Sequence, residues 1–138
     1  MAIRSQCACT RVRRAARVVT HLYDEALMNT GLSIAQFALL RAVGRLEAPN
    51  LSELAEEMAL DRSTLGRNVL VLQRKRLLDV TDGDDLRARR ITITARAQRL
   101  VNSCLPLWQE AQDTVEARLG KSGVATLLDL LERLETTG

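Results

Sequence analysis

A chain of 138 residues that is 46% hydrophobic but only 2% aromatic has room for one compact domain, with a core built from Leu, Val, Ile and Ala. This excludes an aromatic-rich β-sandwich and predicts a mostly α fold carrying a small β-hairpin. The formal net charge of +3 excludes little, but its distribution is uneven: residues 62–99 hold 10 Lys/Arg against 4 Asp/Glu, and residues 100–138 hold 3 against 6, so the basic middle reads either as an element facing phosphates or as a solvated face without a partner.

Apolar Val12, Ala15, Val19, Leu22 and Ala26 recur three and four apart and predict an amphipathic helix from Thr10 to Ala26, broken by Asn29, Thr30 and Gly31. Ser33 predicts the N-cap of a second helix with Phe37, Leu40, Val43 and Gly44 on one face, ended by Ala48, Pro49 and Asn50. Ser52 is the expected cap of a short helix through Met58, with Leu54, Ala55 and Met58 inward. Asp61 is the expected cap of the next helix, from Arg62 to Arg76, with Leu65, Val69 and Leu72 inward. The pattern then turns β-like. Leu77 to Thr81 and Arg90 to Thr94 predict two strands joined by the turn-rich Asp82, Gly83, Asp84 and Asp85.

Beyond Thr94, Leu100, Cys104, Leu107, Trp108, Ala111, Val115 and Leu119 mark a long helix, bent at Pro106 and stopped at Gly120. Val124, Leu127, Leu128, Leu131 and Leu134 mark a last one. No repeat or Pro/Ser-rich linker divides the chain, so residues 1–138 read as a single unit. The apolar stripes of the terminal helices need partners, and pairing with a second copy is the economical solution. Arg4, Arg11, Arg13 and Arg14 interrupt any secretory signal, and no apolar run is long enough to span a bilayer, so a cytoplasmic protein without a membrane partner is expected.

The helices 51–58 and 62–76 fit a helix-turn-helix. Outward-facing Ser63, Thr64, Arg67, Asn68 and Arg74 on the second suit a major groove: Arg can donate twice to guanine, Asn can pair with adenine, and the two hydroxyls sit by the helix N-terminus. Gly66 is out of place inside a helix, at about 1 kcal/mol relative to Ala, and is explained either by close approach of DNA or by crowding within the protein. Arg87, Arg89 and Arg90 follow the hairpin turn and are candidates for a minor groove. Asp82, Asp84 and Asp85 would repel phosphate, so they are assigned to tying the turn through backbone N–H groups or orienting an Arg.

The run Leu54-Ala-Glu-Glu-Met-Ala-Leu-Asp-Arg-Ser-Thr-Leu, the later Asp-Asp-Leu-Arg-Ala-Arg-Arg-Ile-Thr-Ile-Thr ending at Thr94, and the segment Leu32 to Leu40 together resemble the MarR family. Asp85 and Arg87 match its wing pair. The resemblance implies a winged helix-turn-helix over residues 32–94 and dimerisation helices over 7–30 and 95–136. It further implies a homodimer on a pseudo-palindromic double-stranded DNA operator, acting as a repressor released by a small phenolic or metabolite effector. Two departures stand out: Arg76 replaces a helix-ending Gly and should strain a left-handed turn, and Leu86 replaces a basic wing residue, which should reduce phosphate contacts.

Cys7 and Cys9, near Arg11, Arg13 and Arg14, resemble the peroxide-sensing branch of the family; the alternative is that both are inert. Cys104 belongs to a packing stripe. His21 reads as an exposed or partly packed helix residue. A Cys-x-Cys pair without a second cluster predicts no metal, and no cofactor is expected. The chain lacks a Gly-rich phosphate loop, a nucleophile elbow and an acid pair with a His, so no enzyme is expected. A helical adaptor for other proteins is the remaining alternative, and the basic recognition face argues against it.

Overall fold

The structure is a computed structural model that describes residues 4–83, 85 and 87–136. Five helices and one hairpin follow in the order α1 (Ala8–Ala26), α2 (Ile34–Leu46), α3 (Leu51–Met58), α4 (Arg62–Arg74), β1 (Leu78–Val80), β2 (Ile91–Ile93) and α5 (Ala95–Glu135).

Helix α1 is exposed along its first three turns and meets the body only at its end. There Tyr23 is buried and donates its hydroxyl proton to Gln112 on α5. The turn that follows is fastened by local bonds. Thr30 Oγ1 donates to the Leu27 carbonyl at 2.7 Å, Gly31 takes the left-handed φ of 86° that the reversal needs, and the Asp24 carboxylate accepts the Ile34 N–H at 2.7 Å.

Ser33 starts α2 with a full capping box, its hydroxyl accepting from Gln36 N while Gln36 Oε1 accepts from Ser33 N. This helix is the centre of the core, with Phe37, Leu39, Leu40, Ala42 and Val43 buried. Gly44 is not part of the packed face. Although it falls between Phe37 and Leu40 around the helix, it is exposed, and a Cβ there would meet nothing within 4 Å.

Helix α3 is capped by Asn50 and not by Ser52. Asn50 Oδ1 accepts from Glu53 N at 2.8 Å and Glu53 Oε1 accepts from Asn50 N at 3.3 Å, a reciprocal pair that Ser52, already inside the first turn, cannot form. Ala59 (φ 52°) turns the chain into α4. Asp61 holds the N-cap position of α4, but its carboxylate accepts the Ser63 hydroxyl at 2.9 Å instead of a backbone N–H.

α4 stops at Arg74, two residues earlier than the periodicity predicts, because Arg76 turns left-handed (φ 61°) and Leu77 N returns to the Leu72 carbonyl at 2.9 Å. The strands are correspondingly shorter than expected and pair antiparallel, with Leu78 opposite Ile93, Asp79 opposite Thr92 and Val80 opposite Ile91. Thr94 then links three elements. Its hydroxyl accepts from Ala97 N to cap α5, and donates to the Arg76 carbonyl at 2.9 Å.

α5 continues through Pro106, and its backbone leaves helical geometry only at Gly120 (φ 77°, ψ 161°), where a second helical stretch begins at once without a loop. One core joins α2, α3, α4, the hairpin and the first half of α5. Leu27, Leu40, Leu54, Leu65, Leu72, Leu78 and Cys104 lie fully inside it, each Leu contributing about 2 kcal/mol of transfer free energy. The outer arms remain uncovered in the single chain: Val12, Val18 and Val19 on α1 and Leu119, Leu127, Leu128, Leu130 and Leu134 on α5 are exposed. Among the described residues no helix is long and apolar enough to cross a membrane.

Candidate nucleic-acid interface

Burial of Leu65, Val69 and Leu72 fixes which way α4 faces. At about 100° per residue, the line opposite those three runs through Ser63, Arg67, Leu70 and Arg74, all exposed. Thr64 sits to one side, half-buried, and accepts from Arg67 Nη2 at 3.4 Å. Asn68 does not share the outward line. It is exposed at the edge of the buried stripe, where it lines a cleft with Ser33, Gln36 and Leu39 of the α2 segment.

Hydrogen bonds from the Thr64 and Ser63 hydroxyls, with the Arg67 charge as a lesser contribution, hold Asp61 below the usual carboxylate range. The Ser63 proton is therefore directed at Asp61. What Ser63 can offer a base edge or a water is an acceptor lone pair.

Gly66 faces the hairpin across a hollow of about 140 Å³ lined by Leu51, Val69, Val80, Arg89 and Ile91. A Cβ built there would meet nothing within 4 Å. Crowding inside the chain therefore does not explain this glycine.

In the wing, Asp85 Oδ1 accepts from the backbone N–H groups of Arg87 at 2.8 Å and Ala88 at 3.0 Å, which fixes the path of the turn. Gly83 lies so close to Ala88 that a Cβ would stand 3.0 Å from the Ala88 Cβ and 3.1 Å from its carbonyl carbon, so a side chain there needs Ala88 to give by a few tenths of an ångström. Asp82 is exposed; Asp84 and Leu86 lie outside the described residues. Arg87 and Arg89 are exposed, and among the described residues neither is paired with a carboxylate.

Arg90 is different from its neighbours. Its guanidinium donates to Glu53 Oε1 at 3.0 Å and its backbone N–H donates to Thr81 Oγ1, so it ties the wing to α3 instead of reaching outward. The backbone bond from Ile91 N to the Pro49 carbonyl at 2.9 Å makes a second tie at the same place.

A further cleft, about 370 Å³, opens between α2, the end of α3 and α5. Its floor holds Phe37 and Trp108, with ring centroids 6.4 Å apart, and the Arg41 guanidinium lies 5.7 Å from each centroid. Arg45 and Glu57 close one side with an ion pair at 3.4 Å. Sequence reading missed this cluster; the signal available was Phe37 and Arg41, one helical turn apart.

Cys7 and Cys9 are exposed at the start of α1 and Cys104 is buried. Hydrogen bonding by Thr10 lowers the Cys7 thiol below its ordinary range. His21 is exposed and pairs with Glu25 at 3.3 Å. Among the described residues, no group of three or more His, Cys, Asp or Glu side chains could hold a metal ion.

A family model described as the MarR family matches residues 30–88. The chain is similar to the M. tuberculosis transcriptional regulator MosR, with 34% identity over 94% of this chain and 98% of that one and a TM-score of 0.77. It shares its fold with BpsR of Bordetella bronchiseptica (22% identity, 100% and 99% covered, TM-score 0.86). It also shares it with a mutant of E. coli MarR complexed with operator DNA (21% identity, 92% of each chain, TM-score 0.83). With the helix-turn-helix, the Asp85-braced wing and the long outer helices in place, the chain belongs to the MarR family of winged-helix transcriptional regulators.

Proposed function

We propose that the protein is a cytoplasmic, non-enzymatic repressor that binds a pseudo-palindromic operator as a homodimer and is released by a small effector. The observation that carries this reading is the outward line of α4, with Ser63, Arg67 and Arg74 free of the core, set beside a wing whose Arg87 and Arg89 are free of carboxylates among the described residues. Arg67 is the base reader, Thr64 and Asn68 flank it, and Arg74 and the wing arginines meet phosphates and the minor groove.

Residues 32–94 form the DNA-binding part of the single unit 1–138. Residues 7–30 and 95–136 form the dimer arms, whose exposed Val and Leu side chains find their cover in a second copy. Two α4 helices related by a dyad then enter successive major grooves about 34–36 Å apart. MosR has been solved in complex with DNA, and MarR with operator DNA, which supports the same partner here.

The cleft beside Trp108 and Arg41 fits a flat aromatic acid: the part-exposed Trp108 ring offers a stacking edge over buried Phe37, and Arg41, which has no carboxylate partner among the described residues, offers one for the acid. DNA binding by BpsR is regulated by 6-hydroxynicotinic acid, which supports an effector of that kind. The cleft touches both the DNA-binding part and α5, so occupancy there can change the separation of the two recognition helices.

A second reading rests on Cys7, exposed, with a lowered thiol pKa, two residues from Cys9. Peroxide oxidises the Cys7 thiolate to a sulfenic acid with loss of hydroxide, and an attacking thiol that displaces water from it gives a disulfide.

The test is an electrophoretic shift on the upstream DNA of its own gene against a random duplex, with aromatic acids or peroxide added in separate lanes. Selective binding is expected, weakened by Arg67→Ala much more on operator than on random DNA and weakened by Arg87→Ala on both. Equal losses on the two duplexes for Arg67→Ala would remove its base-reading role, and peroxide release that survives Cys7→Ser with Cys9→Ser would remove the thiols as sensor.

A further inference from the structure

The outward line of α4 contains one residue that charge and hydrogen bonding do not explain. Ser63, Arg67 and Arg74 are polar, and between the two arginines stands Leu70, 42% exposed. It belongs to no part of the hydrophobic core and lines none of the three clefts, whereas its equally exposed neighbour Val71 packs into the cleft with Leu39, Met58 and Leu60. A lone surface Leu elsewhere on a protein needs no explanation. Here it is held at the centre of a cationic strip, three residues after Arg67 and four before Arg74, where a phosphate-binding surface gains nothing from an aliphatic side chain.

Resting on the assignment of α4 to the major groove, we infer that Leu70 contacts the C5-methyl group of a thymine and so specifies that base. The major groove displays donors and acceptors at every base pair but only one apolar group, the thymine methyl. Charge fixes the surroundings: Arg67 and Arg74 on either side draw the strip into the groove and hold Leu70 against the base edges, not against the phosphates. Three residues along a helix is about 4.5 Å, which places this thymine one to two base pairs from the base read by Arg67.

The experiment uses an operator selected from random duplexes by the full-length protein. Each thymine of a half-site is replaced singly by deoxyuridine, which removes the methyl group and leaves the pairing unchanged, and binding is measured for the wild type, Leu70→Ala, Leu70→Lys and Arg67→Ala. One deoxyuridine position is expected to weaken the wild type about fourfold per half-site, the factor given by about 0.8 kcal/mol per buried methyl-sized group. Leu70→Ala, which carries the change in both protomers, is expected to bind the thymine operator about fourfold more weakly per half-site, about sixteenfold in all, and to lose nothing further at that position. Leu70→Lys adds charge and keeps affinity, but is equally indifferent to the methyl group.

Wild-type binding that is the same for thymine and deoxyuridine at every position overturns the inference, as does a methyl effect that persists undiminished in Leu70→Ala. A change in oligomeric state of Leu70→Ala without any methyl effect also overturns it, and assigns Leu70 to a protein contact. If the wild type fails to prefer any selected duplex, or Arg67→Ala binds it as well as the wild type does, the assignment of α4 to the major groove fails and this inference fails with it.

Discussion

Replacing Arg76 by glycine is expected to stabilise the fold. Arg76 sits at φ 61°, directly after the last turn of α4, and both of its backbone groups are used: its N–H donates to the Gln73 carbonyl at 2.9 Å and its carbonyl accepts from Thr94 Oγ1 at 2.9 Å. Its side chain is exposed and forms no ion pair among the described residues. The left-handed conformation costs a residue with a Cβ roughly 1–2 kcal/mol, and a glycine gives back roughly 0.5–1 kcal/mol through its freer unfolded chain. Because both hydrogen bonds are made by the backbone they survive the change, leaving a net gain of about 0.5–1 kcal/mol. At this chain length that is a rise in Tm of about 2–4 °C. Arg76→Val, which puts a β-branched side chain into the same conformation, should fall by a comparable amount. Both are read by thermal and urea unfolding at one fixed protomer concentration, since dimerisation adds a concentration-dependent contribution. If Arg76→Gly proves no more stable than the wild type while Arg76→Val is unchanged as well, the turn does not store the strain assigned to it.

Gly66→Ala should gain about 1 kcal/mol from helix propensity, since a Cβ there meets nothing within 4 Å; a fall in operator affinity alongside that gain would locate the need for glycine at the DNA, and unchanged affinity would remove it. Asp85→Ala removes the acceptor shared by Arg87 N and Ala88 N, so amide exchange in the wing should quicken and DNA affinity drop while urea unfolding scarcely moves. Loss of global stability comparable to that of a core substitution would contradict a purely local brace. Asp61 has a folded pKa below its unfolded one, so its contribution is complete above the ordinary carboxylate range and is lost as pH falls through the folded value. Asp61→Asn should flatten the acid side of the stability profile, and an unchanged profile would show that the Thr64 and Ser63 hydrogen bonds carry no linkage.

The helices were legible because their periodicity is strong and the capping chemistry local. Asp61 stands directly before α4, and Leu65, Val69 and Leu72 alone determine which face is left for DNA. The start of α3 departs from the sequence expectation because Ser52 is a good cap by residue type, whereas Asn50 succeeds through its reciprocal partner Glu53 three residues on. What the sequence could not display are pairs made by folding. Arg90 and Glu53 are 37 residues apart, and Trp108 reaches Phe37 only because α5 returns across α2. Leu70 is hidden for another reason: an aliphatic residue between arginines reads as imperfect periodicity until the buried face of its helix is known.

The joint between hairpin and α3 makes the reading head a gauge of fixed width. With Ile91 N bound to the Pro49 carbonyl and Arg90 held on Glu53, the base of the wing cannot swing away from α3 without giving up buried Ile91 as well as two polar ties. On the proposed mode of binding, a duplex whose minor groove lies at some other offset has to bend or narrow to fit, and the energy of doing so depends on the base steps between the two contacts. Selection then extends to base pairs that no side chain touches.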